Sequence, residues 1–437
     1  MKSQTRGFFE SRVGFILACI GSAVGIGNVW LFPWRVGEFG GAIFLLLYFF
    51  FIISLGIVGL IGEFTLGRMY STGPVGAFEK ALQTKNISWG AWVGLIPMLG
   101  ALGIATGYAV VVGWILRFLW GSIDGSLMNA QVGEYFGAIV GDFGSLLWHA
   151  SAIIGTVVIL LAGVNKGIEK ANKIMMPLFY ILFILLLLRV FTLPNIKEGI
   201  DYLLIPKWEM LRNPKVWSVA LGQALFSLSL AGSGMVVYGS YLKKDVNIVD
   251  VAIQTAIYSS IGALLCAFVV ILSVFSFGLN PTAGPPLVFI TLPLIFQQMP
   301  FGQIFAILFF LSVFFASITS LINLMECPIE ALQNRFKTNR TIAVLIVGAF
   351  MLGVGVFLEN ANNVGAWMDI ISIYIVPLGA ALSGIIIYWV VDKYHCKREI
   401  SQGNTQELPI WFHPLAKYFF VGTMIFVLIL SIFFKAI

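Results

Sequence analysis

Halfway along its first apolar segment the chain reads Gly21-Ser22-Ala23-Val24-Gly25-Ile26-Gly27-Asn28. The whole segment, about residues 13–34, is long enough to cross a bilayer as one helix, which takes about 20 apolar residues. Glycine inside a helix costs about 1 kcal/mol relative to alanine, so three glycines favour local unwinding. Backbone groups released in hydrocarbon need a protein or ligand partner. The stretch predicts a helix broken in mid-membrane beside something polar; the alternative is a packing groove at Gly21 and Gly25.

A second apolar segment, about residues 221–241, is interrupted in the same way. Its middle reads Ser227-Leu228-Ser229-Leu230-Ala231-Gly232-Ser233-Gly234. The two segments are the first and sixth predicted spans and lie about half a chain apart. Paired interruptions at corresponding places in two halves of a chain are typical of the binding site of a secondary transporter. The sequence therefore predicts a transporter.

The composition is that of a membrane protein with many spans. Of the 437 residues, 59% are hydrophobic and only 11% are charged, which excludes an ordinary soluble domain. The net charge of +6 does not indicate nucleic acid, because basic residues of membrane proteins collect in cytoplasmic loops. The lipid bilayer is the expected partner, with no nucleic acid. The four cysteines have neither metal-ligand nor disulfide spacing.

Eleven spans can be drawn, each boundary uncertain by several residues. They lie near residues 13–34, 42–66, 94–120, 146–162, 174–191, 216–241, 251–277, 303–332, 342–358, 366–391 and 416–434. Between the seventh and eighth, the Pro- and Gly-rich residues 280–302 are too broken to span, and we expect a re-entrant or surface cap of two short helices.

Basic residues orient the spans. They gather before the first span and after the second, fourth, sixth, eighth and tenth, whereas the loops after the third, seventh and ninth contain few. The positive-inside rule therefore predicts a cytoplasmic N-terminus and, after an odd number of spans, an external C-terminus. The long loop after the fifth span disagrees, since it carries four basic residues, but it also carries acidic ones.

Polar side chains interrupt the eighth span as Ala316-Ser317-Ile318-Thr319-Ser320, followed by Asn323 and Glu326. Neutral oxygens without thiols or imidazoles suit a hard cation. Hydroxyls that bond within their own helix are the alternative. Glu326 and Glu63 are carboxylates at membrane depth, where a charge is costly, so each is expected to have a partner. For Glu63 we favour a structural acceptor role over a proton relay.

Motifs throughout the chain carry a family resemblance. They are Asn28-Val29-Trp30 with Phe32-Pro33, Glu63 with Gly67-Arg68, Gly167-Ile168-Glu169-Lys170 with Met176-Pro177, Val219-Ala220-Leu221-Gly222-Gln223-Ala224, Tyr238-Gly239-Ser240-Tyr241, Val288-Phe289-Ile290-Thr291-Leu292-Pro293, and Thr319-Ser320 with Glu326. In this combination and order they resemble the neurotransmitter:sodium symporters. The chain looks like a bacterial-type member with eleven spans instead of the more usual twelve.

The resemblance implies an all-α polytopic membrane protein with an inverted-repeat 5+5 transporter fold, whose first and sixth helices are broken. Residues 1–437 would form a single transporter domain. Residues 13–192 would be the first repeat, residues 214–392 the inverted second repeat, and residues 411–437 the extra eleventh span. The expected location is the bacterial inner membrane, and the expected function is sodium-coupled uptake of an amino acid by alternating access rather than an enzymatic reaction.

Two sodium sites are implied, and their residues carry over by position. The first would use Ala23, Asn28, Ser227 and Ser259. The second would use carbonyls of Gly21, Val24 and Ala316 with the hydroxyls of Thr319 and Ser320. The first set is neutral, so the substrate carboxylate could itself balance the cation and couple the two.

An amino-acid substrate is implied at the helix breaks. Its carboxylate would lie near the Gly25–Gly27 amides and the Tyr108 hydroxyl, because free amides at a helix terminus attract anions. The predicted substrate-binding residues are Ala23, Gly25, Gly27, Ile104, Tyr108, Phe226, Ser227, Ser229, Gly232, Ser320, Asn323 and Leu324. Gly232 replaces a position that is often bulky in the family, which favours a large hydrophobic or aromatic amino acid. If a neighbouring side chain fills the space that Gly232 leaves, the alternative substrate is a small amino acid.

Three positions depart from the family pattern. The usual outer-gate arginine is Leu31 here, and Arg35, one helical turn further, is expected to pair with Asp369 or to shield the vestibule. Ser259 stands where relatives offer Asn or Asp, which weakens the predicted first sodium site. Ala263 supplies neither an acid nor a serine, so chloride dependence stays open. A substrate-binding relative with altered ion coupling is therefore a further alternative function. For the oligomeric state, we expect a monomer or a loose dimer.

Overall fold

The computed structural model describes residues 7–230, 233–279, 287–403 and 408–434, with side chains up to residue 430. Within these ranges the chain forms helices and turns without a β-strand, which confirms the all-α prediction. The continuous spans are Ala42–Tyr70, Gly90–Ile123, Val164–Val190, Ile248–Ser276, Gly302–Phe336, Arg340–Leu358, Ala361–Val390 and Phe412–Leu430. These are spans 2, 3, 5, 7, 8, 9, 10 and 11. The shorter apolar helix Leu146–Leu161 is span 4.

Span 1 is broken as its glycines predict. It consists of Arg12–Ala23 and Gly27–Glu38, which meet at 55°. Ser11 caps the first half, its hydroxyl accepting from the Gly14 amide at 3.0 Å. Pro33 lies in the first turn of the regular α-helix that follows the break, where its missing N–H costs little.

Span 6 is broken too. Its first half, Pro214–Phe226, begins at the cap residue Asn213, and its second half is Gly234–Ser240. Between them the chain turns, with Ser229 and Ser233 at φ values of 53° and 56°, a left-handed conformation uncommon outside glycine and asparagine. Among the described residues, eight helices, or nine with span 1 counted once, are long and apolar enough to cross a membrane, while Leu146–Leu161 and the two halves of span 6 lie at the fourth and sixth predicted spans.

Spans 1 and 6 lie inside the bundle, whereas spans 4, 5, 9 and 11 are peripheral. Along span 1, Ala18, Cys19 and Val24 have no exposed surface. The peripheral spans carry exposed apolar side chains on the outer surface of the bundle, such as Ile154 with 60% of its surface exposed and Ile181 with 52%. This is the arrangement expected of helices that face lipid on one side.

A short helical segment, Leu287–Gln298, covers one end of the bundle. Phe289 packs its ring against Trp30 of span 1 at 5.6 Å between centroids and against Phe136 at 5.3 Å. This segment lies within the predicted cap, and residues 280–286 lie outside the described part of the chain, so the prediction of two short helices stays a prediction.

The opposite end, which carries the start of span 1, is closed by polar contacts. Glu169, at the start of span 5, accepts from the backbone amides of Glu10 and Ser11 at 2.7 and 3.2 Å. Arg340 of span 9 donates to both oxygens of Glu326, at 2.8 and 2.7 Å, and Tyr241 donates to the same carboxylate at 2.7 Å. The fully buried Glu326 therefore has the partner expected of it.

Glu63 of span 2 is also buried, with 4% of its surface exposed. Its carboxylate lies beside the backbone amides of Met235 and Val236, and its Oε2 has no hydrogen-bond partner among the described residues. These amides belong to the first turn of the second half of span 6, where the amides of a helix are left without the usual partner four residues back. The carboxylate thus stabilises the broken helix, in agreement with the structural role.

Candidate functional site

A cavity lies between the two broken helices. Its walls come from spans 1, 3, 6, 8 and 10, and the lining residues are Ser22, Ala23, Gly25, Gly27, Ile104, Tyr108, Phe226, Ser229, Gly234, Ser320, Asn323, Leu324 and Val376. Of the predicted substrate-binding residues, all but Ser227 and Gly232 line it. Ser227 lies behind the wall in a separate hydrogen-bonded group, and Gly232 falls outside the described residues. Ser22, Gly234 and Val376 were not predicted.

One end of the cavity is polar. The Tyr108 hydroxyl accepts from the amide of Ile26 at 2.8 Å, which leaves its own proton free to be donated. A Cβ on Gly25 would come within 2.6 Å of this hydroxyl oxygen and 2.8 Å of Ser320 Oγ. Glycine is therefore required here, because only a bare backbone can approach both oxygens. The result is a polar end at which the Tyr108 hydroxyl can donate to an anion such as a carboxylate.

The other end is apolar. Ile104, Phe226, Leu324 and Val376 supply its surface. The Phe226 ring lies against Gly27, where a Cβ would overlap with it. The cavity is thus polar at one end and apolar at the other, as a site for an amphiphilic small molecule requires.

The two helix breaks bond directly to each other. Ser22 Oγ donates to Ser229 Oγ at 3.0 Å, and Ser229 Oγ donates to the Ser22 carbonyl at 2.7 Å. Because Ser229 has a positive φ, its side chain leaves the path of span 6 and reaches span 1. The hydrogen-bonding groups of one break thus supply partners for the other.

The predicted first sodium group is partly assembled. Asn28 Nδ2 donates to the Ala23 carbonyl at 3.1 Å, and Ser227 Oγ donates to Asn28 Oδ1 at 2.5 Å. Gln223 Nε2 donates to Ser227 Oγ at 3.0 Å. Gln223 was not predicted, and its one signal is its place one helical turn before Ser227. Ser259 Oγ is buried without a hydrogen-bond partner in the part of the chain that the structure describes.

The predicted second sodium group gathers oxygens around span 8. Thr319 Oγ1 lies 3.0 Å from the carbonyl oxygens of Gly21, Phe315 and Ala316. Ser320 Oγ donates to the Ser22 carbonyl at 3.0 Å. Val24 is buried in the break of span 1. Neutral oxygens in this number suit a hard cation.

The predicted pairing of Arg35 with Asp369 is wrong for this conformation. Arg35 Nη1 instead donates to Gln223 Oε1 of span 6 at 2.9 Å. Asp369 on span 10 is exposed, and no ion pair joins it to a basic group within the described ranges. Helical spacing put Arg35 on the correct face of span 1, but a neutral amide is the nearer partner.

Comparisons with known proteins agree with this geometry. The model of the sodium:neurotransmitter symporter family matches residues 6–138 and 134–436. The sodium-dependent transporter YhdH of Bacillus subtilis (strain 168) is 35% identical over 91% of this chain and 90% of its own length. A sodium-dependent transporter of Haemophilus influenzae is 31% identical over 98% of both chains. Among solved structures, MhsT in complex with L-phenylalanine is similar, with a TM-score of 0.88, 33% identity, and coverage of 98% of this chain and 100% of that one.

Proposed function

Because the chain belongs to the sodium:neurotransmitter symporter family, as a sodium-dependent transporter, we propose that its cargo is a large hydrophobic or aromatic amino acid. The single observation that carries this proposal is the cavity between the broken helices. Its polar end offers the Tyr108 hydroxyl and a bare glycine backbone, and its apolar end offers an isoleucine, a phenylalanine, a leucine and a valine. A zwitterion with a bulky apolar side chain matches both ends.

The substrate carboxylate would take the polar end. Tyr108 is positioned to donate its hydroxyl proton, because the Ile26 amide already occupies one of its lone pairs. The side chain would then extend toward Phe226 and Leu324. A hydrophobic wall discriminates by size at about 1–3 kcal/mol per methylene, so a large side chain would bind better than a methyl group. MhsT, which has the same fold, was crystallised with L-phenylalanine.

Sodium would be carried at two sites. At the first, the ligands from Ala23, Asn28 and Ser227 are neutral, so the carboxylate of the substrate would be the nearest negative charge. Substrate and cation would then each raise the affinity of the other, which is reciprocal coupling. Each inward sodium contributes about 2.3 kcal/mol per 100 mV of membrane potential. This energy supports accumulation of the amino acid.

The proposed orientation places the start of span 1 in the cytoplasm of a bacterial cell and the end of span 11 outside. The supporting observation is the distribution of basic residues, with Arg12, Arg68 and Arg340 all near the same end of the bundle. Residues 13–192 and 214–392 would be the inverted repeats that rock against each other.

Purified protein in proteoliposomes tests the function. An inward sodium gradient should drive accumulation of labelled tryptophan or tyrosine, and a potassium gradient should not. Sodium-dependent binding without accumulation would favour the alternative of a binding relative with altered ion coupling. The observation that favours this alternative is the Ser259 hydroxyl, which has no hydrogen-bond partner among the described residues. Binding that is indifferent to replacing sodium with potassium would contradict the proposal.

A further inference from the structure

Asn172 on span 5 has a side-chain oxygen that none of the predicted roles uses. The residue has no exposed surface. Its Nδ2 donates to the Ile168 carbonyl of its own helix at 2.8 Å, whereas Oδ1 has no hydrogen-bond partner among the described residues. A buried acceptor without a partner costs about 1–3 kcal/mol. We therefore expect this oxygen to bind a ligand.

The orientation of this amide is fixed by its surroundings. Exchanging the amide oxygen and nitrogen would place Oδ1 against the Ile168 carbonyl oxygen, so that two acceptors would face each other. The oxygen therefore points away from span 5 and toward span 1.

Gly21 is what Asn172 Oδ1 faces. A Cβ on Gly21 would overlap with Oδ1, and on the same side it would come within 2.8 Å of Thr319 Cβ and 3.1 Å of Thr319 Oγ1. The amide oxygen of span 5 and the hydroxyl of span 8 thus both lie close to the last full turn of the first half of span 1.

Several oxygens converge at this point. Thr319 Oγ1 is 3.0 Å from three carbonyl oxygens, but a hydroxyl carries a single proton and can donate to only one acceptor at a time. Asn172 Oδ1 adds one more acceptor nearby. Converging acceptors of this kind are stabilised by a hard cation.

We propose that Asn172 Oδ1 is a further ligand of the second sodium site, supplied by span 5. This inference rests on the proposed sodium-coupled function and adds a ligand to the set that the resemblance implies. It also connects the cation to span 5, whose first residues hold the start of span 1 through Glu169. A sodium ion bound at this site would therefore contact spans 1, 5 and 8 at the same time.

The test measures sodium affinity directly on the purified full-length protein, in the absence of amino acid, from the sodium dependence of its thermal unfolding with choline as the replacement ion. Asn172→Leu removes the oxygen at similar size and should raise the sodium concentration for half-maximal stabilisation by about tenfold or more. Asn172→Asp keeps an oxygen in place and should bind sodium at least as tightly as the wild type. Ile174→Leu, at an exposed position of span 5, is the control and should leave the sodium dependence unchanged.

The outcomes separate this inference from the proposed function. An Asn172→Leu protein with wild-type sodium affinity would overturn the role of Asn172 while leaving sodium coupling in place. A loss of sodium affinity of about tenfold or more in Asn172→Asp, compared with the wild type, would overturn it as well. This outcome can be measured even if the leucine variant fails to fold. A wild-type protein that sodium does not stabilise and that does not bind amino acid sodium-dependently would overturn both.

Discussion

Arg35 Nη1 and Gln223 Oε1 are 2.9 Å apart, and this bond joins the outer part of span 1 to span 6. Gln223 Nε2 continues the connection by donating to Ser227 Oγ at 3.0 Å, and Ser227 Oγ donates to Asn28 Oδ1 at 2.5 Å. A continuous hydrogen-bonded chain therefore runs from a guanidinium above the cavity to the predicted first sodium group. The arginine position that departs from the family pattern is thus linked by hydrogen bonds to the residues predicted to form the first sodium site.

Replacing Arg35 with alanine should lower the efficiency of sodium-driven uptake by about tenfold. Hydrogen bonds to charged groups contribute about 1.5–3 kcal/mol, and each 1.4 kcal/mol is about a factor of ten. The measurement is the initial rate of uptake against substrate concentration at fixed sodium. Arg117→Ala, whose guanidinium stacks on Tyr135 at the edge of the bundle, is the control and should transport normally.

A double-mutant cycle identifies the partner. If Arg35 acts through Gln223, the loss in Arg35→Ala combined with Gln223→Leu should be much smaller than the sum of the two single losses. Additive losses would contradict the connection, and unchanged uptake in Arg35→Ala would show that the arginine has no part in transport.

Asn28→Ala should raise the sodium concentration for half-maximal substrate binding by about tenfold. The change removes a predicted ligand and leaves the Ser227 hydroxyl and the Ala23 carbonyl without their partner, at a cost of about 1–3 kcal/mol. Equilibrium binding of labelled amino acid across a sodium titration measures it. The matched control is Ser312→Ala on span 8, since that buried hydroxyl donates to the Leu308 carbonyl of its own helix. Equal sodium dependence in Asn28→Ala and wild type would rule out the site.

Gly27→Ala should weaken amino-acid binding by about tenfold. A Cβ here would overlap with the Phe226 ring and push it into the cavity, and overpacking of this kind costs about 1–3 kcal/mol. Gly155→Ala is the control, because a Cβ on that residue of span 4 meets nothing within 4 Å. Alanine there should also favour the helix. Tight substrate binding by Gly27→Ala would mean that the cavity is not the site.

Arg340→Ala should destabilise the protein by about 3 kcal/mol or more, because it leaves the Glu326 carboxylate buried without its cation. Thermal unfolding in detergent would show this as a lowered midpoint. Adding Glu326→Gln should recover much of the loss. By contrast, Arg335→Ala breaks an exposed pair with Glu79 and should change stability by about 1 kcal/mol or less. A small effect of Arg340→Ala would contradict the idea that the pair holds spans 8 and 9 together.

Competition should rank tryptophan and tyrosine above alanine. The reason is the apolar end of the cavity, where a methyl side chain would leave Ile104 and Leu324 without contact and forfeit about 0.8 kcal/mol per missing methylene. Inhibition of labelled-substrate uptake by a panel of unlabelled amino acids measures the order. A strong preference for alanine would refute the size argument.

Local composition was sufficient to predict the two broken helices. Three glycines in span 1 and the serines and glycines of span 6 cannot maintain a helix at membrane depth, so the breaks and the cavity between them follow from sequence.

The predicted start of span 5, at 174, is ten residues later than the observed start at Val164. Its first turns are polar because they lie at the end of the bundle, bonding to Glu10 and Ser11 rather than facing lipid.

Tertiary partners were harder to predict. Helical spacing predicts which face of span 1 carries Arg35, but one face of a helix borders several neighbours. Spacing alone does not show whether span 6 or span 10 lies closer to the Arg35 guanidinium. Asn172 was missed for a related reason. A single asparagine in an apolar helix has no pattern around it, and only the packing of span 5 against Gly21 reveals which way its oxygen points.

The hydrogen bonds exchanged by Ser22 and Ser229 impose a rule on how such a chain can vary. One residue added within either helix ahead of its serine would turn that serine by about 100° around the helix axis and separate the two hydroxyls. Insertions and deletions should therefore be tolerated in the outer loops and rejected here. Each helix must therefore keep the register that places its serine opposite the other.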